Sequence, residues 1–142
     1  NESNMFCTAF MGVLDLKTGK MQYCNAGHNA PMVITPTGEV NYMKVVPNLP
    51  LGLFEGFPFE GQECDIALGV SLLLYTDGVT EAENMEHSLY SDERLLELLA
   101  KQRSQMPCTI VNAVLDDVNK HADGAEQSDD ITIMCIINKT LD

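Results

Sequence analysis

Apolar and polar positions alternate in blocks along this chain, and the blocks predict its elements. Residues 5–15 are apolar almost without interruption and read as a long buried strand. Residues 15–20 form a hairpin turn in which Gly19 takes positive φ. Residues 21–25 are the return strand, residues 32–35 a third strand, and residues 39–46 a fourth, entered through the turn Pro36-Thr37-Gly38. The first third of the chain therefore reads as an antiparallel meander. Pro and Gly crowd residues 47–61, an ordered loop whose Leu49, Leu51, Leu53 and Phe54 need cover. Residues 62–68 alternate polar and apolar, as a half-exposed strand does.

The run over residues 70–75 suits a strand buried on both faces, and it stops abruptly at Thr76-Asp77-Gly78. Gly78 tolerates a tight turn or a close backbone approach. Residues 79–90 are polar and show no period. Ser91 is a good N-cap, with Asp92 and Glu93 in the positive first turn of a helix. Leu95, Leu98 and Leu99 form its apolar stripe, and Lys101 and Arg103 suit its C-terminus. A second helix starts near Pro107, carries the stripe Val111, Val114, Leu115 and Val118, and ends before Gly124. Residues 131–137 are a final strand. The predicted class is α+β, mostly antiparallel, with two helices packed on one face.

Two acidic positions stand out against this pattern. Asp77 sits at the tip of a buried strand, where a carboxylate is costly unless something cationic meets it. Asp129 and Asp130 immediately precede the last strand. If the two strands are antiparallel neighbours, the end of one lies beside the start of the other and the carboxylates converge. Clustered carboxylates repel unless a cation holds them, and hard oxygen ligands suit Mg²⁺ or Mn²⁺. An Asp-Gly pair also makes a plain turn, and Ser128-Asp129-Asp130 a cap or loop, so pattern alone leaves both readings open.

Length and composition narrow the classes. A chain of 142 residues, 45% hydrophobic and 20% charged, is one domain of ordinary size with material for a core. Its formal net charge of -13 argues against nucleic acid or an anionic membrane as a partner. The acidity reads as a solvated surface or, in part, as a metal site. Five cysteines, Cys7, Cys24, Cys64, Cys108 and Cys135, lie at wide spacings with no Cys-x-x-Cys. They indicate neither a zinc site nor a disulfide framework, and most read as small core residues in a reducing compartment. No apolar run approaches a membrane span and no signal peptide opens the sequence. The expectation is a cytoplasmic domain, with any membrane anchor outside these residues.

Five ordered blocks resemble a known family. They are Met5-Phe6-Cys7-Thr8-Ala9-Phe10 with Asp15, Asn25-Ala26-Gly27-His28-Asn29-Ala30-Pro31, Pro50-Leu51-Gly52-Leu53, Thr76-Asp77-Gly78-Val79-Thr80-Glu81-Ala82 and Gln127-Ser128-Asp129-Asp130-Ile131-Thr132. In this order they resemble metal-dependent protein phosphatases of the PP2C type, in the bacterial branch that includes the SpoIIE and RsbU regulators. The resemblance implies an antiparallel β-sandwich flanked by helices. It implies two Mn²⁺ or Mg²⁺ ions at the sandwich edge, binding a water that attacks a phosphoserine or phosphothreonine phosphorus. By the same resemblance Asp77 and Asp129 match metal-ligating aspartates, Asp130 matches a supporting neighbour, and Gly78 lets the backbone pass close to the ions.

The family's bridging aspartate lies in an Asp-x-Ser-Gly-His-Gly-like motif before the first of these blocks, and that motif does not occur in this sequence. Asp15 sits at a hairpin and cannot substitute. Residues 1–142 are thus expected to be the C-terminal portion of a single phosphatase domain, truncated at its N-terminal side. This portion alone is expected to bind metal weakly or not at all and to show little activity. Exposed strand edges would invite a homodimer through strand pairing.

The resemblance implies a phosphatase output domain of a bacterial signalling protein of the sigma-factor-regulating type. Its substrate would be a phosphorylated protein like an anti-sigma-factor antagonist. A non-catalytic module that binds a partner protein through a degenerate phosphatase fold is the alternative. His28 reads either as a proton donor to the leaving serine or, preferably, as a turn histidine whose ring caps a neighbouring backbone group. His87 and His121 receive no role.

Overall fold

The structure is a computed structural model that describes residues 5–102 and 106–139; Arg103 lies outside the described residues. In chain order the elements are β1 (Ala9–Leu14), β2 (Lys20–Ala26), β3 (Met32–Ile34), β4 (Val40–Tyr42), β5 (Gln62–Asp65), β6 (Ser71–Tyr75), α1 (Asp77–Thr80), α2 (Asp92–Lys101), α3 (Pro107–Ala122) and β7 (Ile133–Ile137). They form a three-stranded sheet, β1-β2-β5, and a four-stranded sheet, β4-β3-β6-β7. Every strand pairing is antiparallel, so the class is α+β as expected. The chain divides into two compact units, Asn1–Ala30 with Met43–Ala67 and Pro31–Tyr42 with Leu68–Asp142.

The expected meander is corrected. Both hairpins form, β1 with β2 and β3 with β4, but β2 and β3 belong to different sheets. Alternation marks strands and turns; the burial each strand needs selects its partner. Met32 and Ile34 are buried with Leu73 and Tyr75 in one core, which draws β3 to β6.

In the first unit the reading of residues 5–15 as a buried strand is also corrected. Met11 and Val13 are 71% and 67% exposed, and Met5 and Phe6 are exposed as well. Register places Met11 and Val13 opposite Cys24 and Gln22, so the β1 side chains on this face of the sheet stand in solvent. The other face is apolar: Met21 and Tyr23 are buried, and Phe10 stacks on Tyr23 with ring centroids 5.7 Å apart. The turn after β1 is as expected. Gly19 has φ 75°, and the Asp15 carboxylate accepts from the Lys17 and Thr18 amides at 2.8 and 3.2 Å.

Residues 47–61 are ordered by polar pegs rather than by apolar cover, since Leu49, Leu51, Leu53 and Phe54 remain exposed. The buried Asn48 amide donates to the carbonyls of Asn25 and Glu60 at 3.1 and 3.0 Å, and its oxygen accepts from the Glu60 amide at 3.0 Å. Cys7 and Leu51 add a reciprocal backbone pair at 2.9 and 2.8 Å. Satisfied buried amides of this kind fix a loop that has no core of its own.

The second unit carries the larger core. β6 lies between β3 and β7, and Leu72 and Leu73, which point to opposite faces, are both buried. α2 begins as expected at Ser91, whose hydroxyl accepts from the Arg94 amide at 3.5 Å, and it buries Leu95 and Leu99. α3 buries Ile110, Val114 and Val118, an i, i+4, i+8 row, leaving Val111 and Leu115 half-buried. These side chains pack with Met32, Ile34, Leu73 and Tyr75. No helix among the described residues is long and apolar enough to cross a membrane.

A third helix was not expected. Residues 79–90 are more than a polar connection: α1 opens the segment, and Val79, Thr80, Ala82 and Tyr90 are buried. Tyr90 donates its hydroxyl to Asp117 at 2.8 Å, and Arg94 grips the same carboxylate through Nε and Nη2 at 3.0 and 3.1 Å. His121, stacked edge-on against Tyr90, bonds Arg94 and the Ser88 carbonyl at 3.0 and 2.9 Å.

The Arg94 guanidinium, helped by the Tyr90 hydroxyl, holds the Asp117 carboxyl below its ordinary range. A carboxylate depressed by folding stabilises above its unfolded pKa and loses that contribution as pH falls through its folded one. Asp117→Asn is therefore expected to lower stability by about 1 kcal/mol near neutrality, a figure held down by the partial exposure of Arg94. The difference should shrink as pH falls below the ordinary carboxylate range and through the lowered pKa of Asp117. Urea unfolding of both proteins across a descending pH series checks this; a difference that does not shrink as pH falls would assign the effect to packing rather than charge.

Candidate metal centre

The acidic site is built by the pairing of β6 and β7. Their register runs from Ser71 opposite Ile137 to Tyr75 opposite Ile133, so the exit of β6 adjoins the entry to β7. The ladder continues one step, with the Thr76 amide donating to the Thr132 carbonyl at 3.0 Å. Asp77 then opens α1, while Asp129 and Asp130 lead into the facing strand. The convergence expected of two antiparallel neighbours is present at the level of the backbone.

Gly78 is where the two segments meet. It is buried, and a Cβ built on it would stand 2.5 Å from the Asp130 carbonyl oxygen and 3.3 Å from that of Asp129. Its φ is not among the positive ones, so this glycine is required by proximity and not by backbone conformation. Among the described protein atoms, the close neighbour is the Asp129-Asp130 backbone.

Each carboxylate of the pair is half committed. One Asp77 oxygen accepts from the Gly78 amide at 3.1 Å, and one Asp129 oxygen from the Asp130 amide at 2.7 Å. Among the described residues the second oxygen of each accepts no bond of this kind, and all three aspartates are exposed. None of the ion pairs among the described residues includes Asp77, Asp129 or Asp130. Hard, anionic oxygens without a protein cation fit a divalent metal in kind. They do not complete one in number: among the described residues no group of three or more His, Cys, Asp or Glu side chains is placed to hold a metal.

Thr76 is the residue that sequence reasoning passed over. Its position is that of the N-cap of α1, yet its hydroxyl makes no cap bond. It donates to the Asp130 carbonyl at 2.8 Å and accepts from the Thr132 amide at 2.9 Å. The only trace in the sequence is a hydroxyl side chain directly before Asp-Gly. His28 lies in the first unit and is framed by Asn25, whose side-chain amide binds both its backbone N–H and its C=O at 2.8 Å. Its ring bonds the Thr8 hydroxyl at 3.2 Å, which corrects the expectation that the ring caps a backbone group.

Two antiparallel sheets with helices, and acidic residues where the central strand β6 meets the edge strand β7, share the fold of solved PP2C phosphatase domains. The chain belongs to the stage II sporulation protein E (SpoIIE) family, whose model matches residues 1–138. Protein IcfG of Synechocystis sp. is 31% identical over 132 residues, covering 93% of this chain and 20% of IcfG. The phosphoserine phosphatase RsbP of Bacillus subtilis is 30% identical over 80 residues, 56% of this chain and 20% of RsbP. The chain thus spans about a fifth of the length of these relatives.

Two solved structures of the cell fate determinant SpoIIE from Bacillus subtilis share the fold. The manganese-presoaked phosphatase domain has a TM-score of 0.72 at 14% identity, covering 95% of this chain and 58% of that one. The PP2C phosphatase domain with a fragment of the regulatory domain has a TM-score of 0.75 at 20% identity, covering 90% and 37%.

Proposed function

We propose that residues 1–142 are the C-terminal portion of a metal-dependent serine/threonine protein phosphatase domain, the output domain of a bacterial signalling regulator. The observation that carries this reading is the β6–β7 pairing, which sets Asp77 against the segment of Asp129 and Asp130 in a chain of the SpoIIE family. Asp77 and Asp129 would contribute oxygens to Mn²⁺ or Mg²⁺, two ions in the complete domain. Asp130 would support them, and Gly78 would keep the two segments close. Bound metal supplies an activated water and neutralises phosphoryl oxygens. The proposed substrate is a phosphorylated protein of the kind that antagonises an anti-sigma factor; the name of the RsbP relative, a phosphoserine phosphatase, supports the phosphoserine part alone. A cytoplasmic setting suits such a substrate. Because β1 and β7 lie at sheet edges, strand pairing with a second copy is the expected self-contact.

One observation favours a second reading. Because no group of three or more His, Cys, Asp or Glu side chains among the described residues is placed to hold a metal, the site by itself also suits a non-catalytic partner-binding module. Assay of the full-length protein separates the two. Hydrolysis of a phosphoserine peptide and of p-nitrophenyl phosphate should require Mn²⁺ or Mg²⁺, stop on chelation with EDTA and return when metal is restored. Hydrolysis indifferent to EDTA, or none at any metal concentration, would overturn the enzymatic reading.

A further inference from the structure

Thr76 occupies an N-cap position but spends its hydroxyl elsewhere, and the local hydrogen bonds give the reason. At the end of β6 the Thr76 carbonyl turns into α1, where it accepts from the Val79 amide at 3.0 Å. That carbonyl is therefore lost to the ladder with β7. The Thr132 amide, which would otherwise face an empty acceptor position, bonds the Thr76 hydroxyl at 2.9 Å instead. The hydroxyl thus replaces the carbonyl and extends the β6–β7 pairing past the point where the backbone has left it. A hydroxyl can donate as well as accept. This one donates to the Asp130 carbonyl at 2.8 Å, the same oxygen against which Gly78 is packed.

One oxygen atom, on the residue that precedes Asp77, therefore fixes two points of the segment that carries Asp129 and Asp130. We infer that Thr76 is a positioning residue: by bridging the Thr132 amide and the Asp130 carbonyl it sets where Asp129 and Asp130 stand relative to Asp77. It thereby sets the divalent-cation affinity of the pair. The part concerning affinity rests on the proposed metal-dependent function; the clamp itself does not.

Both parts are tested on the full-length protein with Thr76→Val, which keeps the shape and removes both bonds, and Thr76→Ser, which keeps the hydroxyl. The readouts are Mn²⁺ binding by calorimetry and hydrogen exchange at the Thr132 amide. Residues that hold metal ligands from behind typically account for about 10- to 100-fold in affinity. Thr76→Val is expected to weaken Mn²⁺ binding by at least about tenfold and to speed exchange at Thr132. Thr76→Ser is expected to remain within about threefold of the unsubstituted protein in affinity, because it retains both bonds.

Thr76→Val binding Mn²⁺ as the unsubstituted protein does would overturn the affinity claim, and so would Thr76→Ser as weak as Thr76→Val. Unchanged exchange at Thr132 in Thr76→Val would overturn the clamp. If Thr76→Val does not fold, Thr76→Ser decides, and faster exchange at Thr132 in that variant counts against the clamp. An unsubstituted protein that binds no Mn²⁺ sinks the metal reading alone, and the clamp is then judged by exchange.

Discussion

Asp77→Asn in the full-length protein is expected to reduce metal-dependent hydrolysis by at least about 100-fold while leaving the fold intact. The two effects separate because the substitution changes charge and little else. Asp77 has one oxygen bonded to the Gly78 amide at 3.1 Å, and the carbonyl of an asparagine side chain can accept that bond as well. α1 therefore keeps its start. What is lost is an anionic oxygen facing a segment that itself carries two carboxylates. Without bound metal that loss relieves repulsion, so the melting temperature of the metal-free protein should stay the same or rise.

Metal reverses the order of stability. A ligand that binds only the folded state stabilises it by RT ln(1 + [L]/Kd), about 2.7 kcal/mol at a hundred times Kd. Mn²⁺ should raise the melting temperature of the unsubstituted protein and have little effect on Asp77→Asn. Activity assays and thermal melts with and without Mn²⁺ check both halves. Retained activity with Asn at this position would remove Asp77 from the site. Lost activity with an equal fall in metal-free stability would make its role structural.

The acidic pairing was legible in the sequence because two independent patterns met there. Residues 70–75 and 131–137 are each apolar enough to demand burial, and each abuts aspartates. Antiparallel pairing of β6 and β7 then follows from burial and brings Asp77 towards Asp129 and Asp130. The helix stripes were legible for the same reason: Leu95 and Leu99, like Val114 and Val118, recur at the helical period and are buried.

Features that depend on choice of partner were less visible. Nothing local in Met32 or Ile34 tells β6 from β2, so pattern alone joins β3 to the wrong sheet. Nothing in residues 5–15 says that the β1 side chains on one face stand in solvent. Hydrogen bonds that cross more than fifty residues, such as those of the Thr76 hydroxyl, leave no periodic trace. The Asn48 pegs share that property, joining positions that composition marks only as loop.

Gly78→Ala is expected to destabilise the domain by about 2 kcal/mol, and the sign comes from weighing two opposed effects. Gly78 lies inside α1 with no positive φ, so alanine fits its backbone. On helix propensity alone the substitution would stabilise by up to about 1 kcal/mol, less in a helix as short as α1. Against this stands contact. The new methyl group would lie 2.5 Å from the Asp130 carbonyl oxygen and 3.0 Å from its carbon. That carbonyl cannot step back freely, because the Thr76 hydroxyl holds it at 2.8 Å. Forcing one carbon into such a contact typically costs about 1–3 kcal/mol in displaced backbone and broken bonds, which exceeds the propensity gain. The displacement falls on the segment that carries Asp129 and Asp130, so metal affinity should fall together with stability. Chemical denaturation and Mn²⁺ titration of Gly78→Ala measure the two quantities separately. A stable variant with unchanged Mn²⁺ affinity would mean that the segment yields without consequence, and proximity could then no longer explain why glycine stands after Asp77.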